Sequence, residues 1–188
     1  MKKKGGVWII VIVLAVLVLV LGAGVVYLKY WSKDCVNLNL PKIYGDSVVG
    51  FKFNYPDKTV LQDVTIEQGK SIDSVMSFKF PVADGTNLKE KWLKLTIFNQ
   101  SCEKAKKKGE GTVSFAGTKF YKYENEEQTN SATYQMREYS LDRAGKCLNF
   151  EFGLRSIMMV RGQGTTVFEP NKEWVLSSDI MRTFRLIK

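Results

Sequence analysis

The 188-residue chain contains no histidine. This excludes Ser-His-Asp and Cys-His catalysis, and any zinc site built with a histidine ligand. Cysteine is scarce too: Cys35, Cys102 and Cys147, with no C-x-x-C spacing. Three thiols cannot complete a four-cysteine metal site, and the spacing excludes a thioredoxin-like redox motif. Acids are missing from residues 1–33, which hold Lys2, Lys3, Lys4, Lys29 and Lys33. Those lysines supply more than half of the formal charge of +9, so the rest of the chain is only mildly basic and no nucleic-acid partner is expected.

The run from Val7 to Leu28 has no charged residue. As a helix rising ~1.5 Å per residue it is about 33 Å long, enough for a hydrocarbon core of ~30 Å. Gly22-Ala23-Gly24 resembles a signal-peptidase site, but Val25, Val26, Tyr27 and Leu28 continue the apolar run beyond it, which favours retention over cleavage. Tyr27, Tyr30 and Trp31 stand where aromatic rings favour the membrane interface. Cys35 lies too far past the run for a lipoprotein, and Lys4-Gly5 lacks the following glutamate of a pilin stalk. Residues 1–32 therefore read as a cytoplasmic N-terminus plus one transmembrane helix, a signal-anchor at residues 7–28. Three lysines before the helix and two after it place the N-terminus in the cytoplasm and the C-terminal domain outside a cell membrane.

Residues 33–48, with Pro41 and Gly45, read as a linker, and 49–188 as a single domain. Period-two alternation dominates it. Phe51, Phe53 and Tyr55 alternate up to Pro56, as do Met76, Phe78 and Phe80 up to Pro81. Leu93, Leu95 and Ile97 follow a turn at residues 83–87. Val113, Phe115 and Phe120 flank Ala116-Gly117 as a hairpin, and Leu148, Phe150, Phe152 and Leu154 form the cleanest alternation. The period then changes: Leu176, Ile180 and Phe184 recur every four residues after Pro170-Asn171, predicting an amphipathic helix. The expected class is α+β, an antiparallel β-sheet packed by a C-terminal helix, preceded by one transmembrane helix.

The segment GFKFNYPDKTV, with Gly50, Phe51, Phe53, Tyr55 and Pro56, is similar to the "GF-x-F-x-YP" strand of PsbP-like domains. SSDIMRTFRLI, through Ile180, Thr183, Phe184 and Leu186, resembles the helix and strand that close them. Between these, ADGTNLKEKWLKLTI, VSFAGTKF, YQMREYS and KCLNFEFGLRS follow in an order that resembles a group of uncharacterised bacterial proteins, membrane-anchored or secreted, with a PsbP-like domain. Arg155 stands where that group commonly has a histidine before the serine, so no role of that histidine is carried over. The resemblance brings no catalytic residue, cofactor or metal ligand. It places Cys102 and Cys147 at its paired-cysteine positions, and an oxidising compartment permits their bridge. Three reduced thiols are the alternative. Cys35 is then left over, free or bridging two chains as a dimer.

The remaining constellations weigh toward plain readings. Ser101-Cys102-Glu103-Lys104 fits S-x-x-K, but Ser178-Asp179 is followed by Ile180 and no K-T-G exists, so a penicillin-binding chemistry is not expected. Glu124, Glu126 and Glu127, among Asn125, Gln128 and Asn130, read as a solvated loop rather than paired glycosidase carboxylates. Lys104, Lys106, Lys107 and Lys108 form one dense basic cluster, a solvated loop or a contact for an anionic surface such as a wall polymer. The expectation is a non-enzymatic binding or envelope-assembly module without a cofactor, or alternatively a small-ligand or ion-binding sensor module.

Overall fold

The structure is a computed structural model that describes residues 39–63, 72–103, 111–158 and 166–187. All of them belong to one compact unit, Leu38–Lys188. The apolar run 7–28, Cys35 and the lysines at 104, 106, 107 and 108 lie outside the described residues. Among those described, no helix is long and apolar enough to cross a membrane.

Among the described residues ten strands and one helix follow in the order β1 (Lys42–Asp46), β2 (Phe51–Tyr55), β3 (Val60–Asp63), β4 (Ile72–Lys79), β5 (Leu88–Phe98), β6 (Gly111–Phe115), β7 (Thr118–Gln128), β8 (Ala132–Arg143), β9 (Lys146–Ile157), α1 (Pro170–Arg182) and β10 (Arg185–Leu186). Seven strands form an antiparallel sheet in the order β3-β4-β5-β9-β8-β7-β6; β1, β2 and β10 form a second sheet. The expected α+β class, with one C-terminal helix on antiparallel sheets, is what the chain adopts. The residues 33–48 do not all form a linker: Lys42–Asp46 pairs along the whole of β2. Pro41, Gly45 and Asp46 mask that strand in the sequence, because each signals a turn. The last of them does make one, its Oδ1 accepting from the amides of Val48 and Val49 at 2.8 and 2.9 Å.

One face of the large sheet is closed by the small sheet and α1. Alternation in β5 and β9 sends Leu93, Leu95, Ile97, Leu148, Phe150, Phe152 and Leu154 to that face, all buried. Phe51 and Phe53 project onto it from β2; their rings lie 6.2 and 5.7 Å from that of Phe150. The helix adds Trp174, Leu176, Ile180 and Met181, and Phe184 follows just beyond its end. Thr183 caps the helix and accepts the Asn54 amide at 2.8 Å, joining the helix end to β2. The hairpin at Ala116-Gly117 has both residues at positive φ, 50° and 80°, as a two-residue turn between twisted strands requires.

Gly50 is a residue the fold cannot replace easily. Its φ is +79°, and an added Cβ would sit 2.8 Å from the Ile187 carbonyl oxygen. The close approach exists because Ile187 donates its amide to the Gly50 carbonyl at 2.9 Å, closing β10 onto β2. Gly50→Ala should lower stability by about 1–2 kcal/mol from left-handed strain alone, read as a lower urea midpoint; an unchanged midpoint refutes this account.

Cys102 and Cys147 form a disulfide, with Cα atoms 4.9 Å apart and both residues buried. It ties the segment after β5 to the start of β9, where the Cys102 amide also donates to Asp142 Oδ1 at 2.6 Å. Beside it Lys146 pairs with Asp73, and that hydrogen bond holds the Asp73 carboxyl below its ordinary value. The cysteines are 45 residues apart, so chain-entropy reasoning assigns the bridge about 4 kcal/mol. Reductant should lower the unfolding free energy of the wild type by that amount, read from urea titrations, and leave a Cys102→Ser/Cys147→Ser variant unmoved.

Candidate functional site

Strands β7 and β8 extend past the N-terminal end of α1, and a cleft of about 380 Å³ opens there. Its walls are Glu124 and Glu126 from β7, Gln135 and Arg137 from β8, and Pro170, Asn171 and Trp174 from the helix. Register accounts for the grouping. Glu124 pairs with Arg137 and Glu126 with Gln135 across the two strands, and the alternation that buries Phe120 and Tyr139 directs these four to the same face. Pro170 starts the helix, where its missing N–H costs nothing, and Trp174 follows one turn later on the buried side.

The carboxylate of Glu124 is held by two cations. Its Oε1 is 2.7 Å from Arg137 Nε and 3.0 Å from Lys122 Nζ. Neither approach has hydrogen-bond alignment, so this oxygen, cut off from solvent, is stabilised by charge alone. The Arg137 guanidinium lies 4.5 Å from the centre of the Trp174 ring, a cation–π contact that pins the indole at the cleft floor. Glu126 accepts from Gln135 Nε2 at 2.8 Å, which leaves Gln135 Oε1 without a donor. The cleft therefore presents a mixed, nearly charge-balanced wall around an aromatic edge. Beneath it, Tyr139 packs edge-on against Phe115 and Phe152.

The expectation of a solvated loop at Glu124, Glu126 and Glu127 is corrected: all three lie on β7. Polar side chains on a strand face hid the alternation, because the partner residues on β8 and α1 that receive them are distant in sequence. Asn87, expected only as a turn residue, is buried; its side chain donates to the Ile157 carbonyl at 3.1 Å and accepts the Phe168 amide at 2.9 Å. It thus fixes the segment that leads into α1. Arg155 pairs with Glu90 at 3.0 Å. Among the described residues, no three His, Cys, Asp or Glu side chains are grouped to hold a metal ion.

Comparison with known proteins finds likeness in structure only. No family model matches the chain, and no curated protein matches it. Its fold is similar to the solution structure of the cyanobacterial PsbP (CyanoP) of Synechocystis sp. PCC 6803, at 12% identity and a TM-score of 0.40, over 81% of this chain and 95% of that one. It is also similar to a crystal structure from Bacteroides thetaiotaomicron, at 12% identity and a TM-score of 0.46. That match covers 78% of this chain but only 48% of the Bacteroides protein, so the chain spans about half its length.

Burial raises the Tyr139 hydroxyl above its ordinary value of 10.0, against the opposing effects of Arg137 and of a hydrogen bond with Ser177. The folded protein therefore keeps this proton after the unfolded chain has lost it, so stability falls as pH rises past 10.0. Urea midpoints of wild type and Tyr139→Phe should converge, or cross, on going from about pH 8 to about pH 11. A constant gap would show that Tyr139 ionises equally in both states.

Proposed function

We propose that this chain is a single-pass membrane protein whose C-terminal domain works outside the membrane as a non-enzymatic binding module. The apolar run 7–28 with its flanking lysines supports the anchor and its orientation. The Cys102–Cys147 bridge supports an oxidising compartment for the domain. One observation carries the binding reading: Glu124 and Glu126 share one face of one strand, and Glu124 is already neutralised by Arg137 and Lys122. A pair of catalytic carboxylates faces across a cleft from opposite walls. Here the carboxylates and the guanidinium instead supply fixed acceptors and donors beside an indole, the lining of a recognition site.

The same cleft favours a small-ligand module over a flat assembly surface, since about 380 Å³ lies within the range of small-molecule sites. The test uses the full chain in phosphatidylcholine nanodiscs, with its tryptophan indoles isotopically labelled. A small-molecule fraction of the envelope should shift the Trp174 indole resonance, and Arg137→Ala should remove the shift. The compound should be recovered at unchanged mass; a changed mass would make the protein an enzyme. Protease added outside intact cells should digest the domain, and its protection would reverse the orientation.

A further inference from the structure

The sheet face turned away from α1 carries a second arrangement, separate from the cleft. Register sets Lys79, Trp92 and Gly153 in one row across β4, β5 and β9. A Cβ on Gly153 would overlap the Trp92 ring carbons Cε2, Cζ2 and Cη2, so the indole lies across the glycine backbone rather than standing off the sheet. Only glycine at this position allows that. The Trp92 Nε1–H points to Glu151 Oε1 at 3.4 Å, which sets the ring's direction. The half-buried indole forms one wall of a cavity of about 240 Å³ at the end of the β4–β5 pair, with Ser77, Lys79, Lys89 and Glu90 around it.

The charges at this cavity are unequal in their commitments. Glu90 is taken by Arg155 at 3.0 Å, and Lys91 by Glu173 at 2.7 Å. Lys79 and Lys89 are exposed, and their side chains have no ion pair or hydrogen bond among the described residues. Lys89 is the extra residue where the β5–β9 register shifts between Leu88 and Glu90, and such a bulge re-aims a side chain. Two free ammonium groups thus stand beside a flat aromatic ring, with the carboxylates of Glu90 and Glu151 near it.

We propose that this surface binds an acidic polysaccharide built of uronic acid units. A pyranose ring presents a face of weakly positive C–H groups that suits the negative face of an indole. Its carboxylate would be met by Lys79 and Lys89 in charge-assisted hydrogen bonds. Its hydroxyls would donate to Glu90 and Glu151, groups that a phosphodiester backbone, having acceptors only, would be repelled by. That last point favours a glycan over single-stranded nucleic acid, which also combines aromatic stacking with basic residues. The surface shares no lining residue with the α1 cleft, so this inference stands or falls independently of the ligand proposed there.

The test is calorimetric titration of the full chain in phosphatidylcholine nanodiscs with trigalacturonic acid. A neutral trisaccharide, a phosphate-bearing wall polymer and a short oligothymidylate serve as comparisons. Saturable binding of trigalacturonic acid is expected, weakened tenfold or more by Lys79→Gln/Lys89→Gln and much weaker for the other three ligands. Those two lysines are exposed, so the variant keeps its fold; Trp92→Ala should abolish binding wherever it retains the wild-type circular dichroism. Absence of saturable binding, equal binding by the lysine variant, or equal binding of the neutral sugar, the phosphate polymer or the oligothymidylate overturns the proposal.

Discussion

The contact of β2 with the large sheet, made through phenylalanine rings, is the constraint on which the domain depends. Phe51 and Phe53 are fully buried, and Phe51 stacks at 6.0 Å on Phe184 from the far end of the chain. Phe184 in turn meets Phe120 at 5.1 Å and Phe150 at 5.7 Å, both edge-on. Each such ring contributes about 2–3 kcal/mol by leaving water, and edge-on pairs add about 0.5–1.5 kcal/mol beyond that. Elements with few hydrogen bonds between them, the small sheet, the helix end and the large sheet, are joined by this cluster. Where it ends, toward Glu124 and Arg137, the same face of the sheet turns polar and the cleft begins.

Most of this core is legible in the sequence because burial on one face forces a period of two. Leu148 to Leu154 and Phe51 to Tyr55 were readable for that reason, and the helix announces itself through Leu176, Ile180 and Phe184. What stays hidden is whatever depends on partners remote in the chain. β1 is half exposed and interrupted by Gly45, so nothing in its own residues demands a strand; β2 supplies the reason. Glu124 and Glu126 look like surface residues until Arg137, Gln135 and Trp174 are brought to them. Gly153 carries no signal of its own in the sequence, because its meaning lies in Trp92, which comes from another strand. The pairing of Cys102 with Cys147 came from the resemblance to a family rather than from any local signal.

The two sites differ in how their aromatic groups are held. Trp174 is buried under Arg137 and contributes shape and rigidity to the wall of the cleft. Trp92 is laid flat by the absence of a side chain on its neighbour and offers ring surface instead. In the first, charge is already balanced by partners within the protein; in the second, two lysines remain uncommitted. Charges paired within the protein fix geometry, whereas surface charges without partners are available for association.

The pairing of β10 with β2 bears on the order of assembly. β2 and β10, the second and the last of the described strands, are hydrogen-bonded neighbours, so nearly the whole domain must be collected before the small sheet can close. Contacts of such high sequence separation make folding slow, since the loop entropy is lost before the contact rewards it. A chain emerging from its N-terminal side would hold Phe51 and Phe53 exposed until Phe184 and Ile187 had followed. The hairpins β6–β7 and β8–β9 need no such wait, and the cysteines lie within reach of each other earlier. The large sheet would then be oxidised and standing first, with the aromatic face of β2 the last surface to leave water.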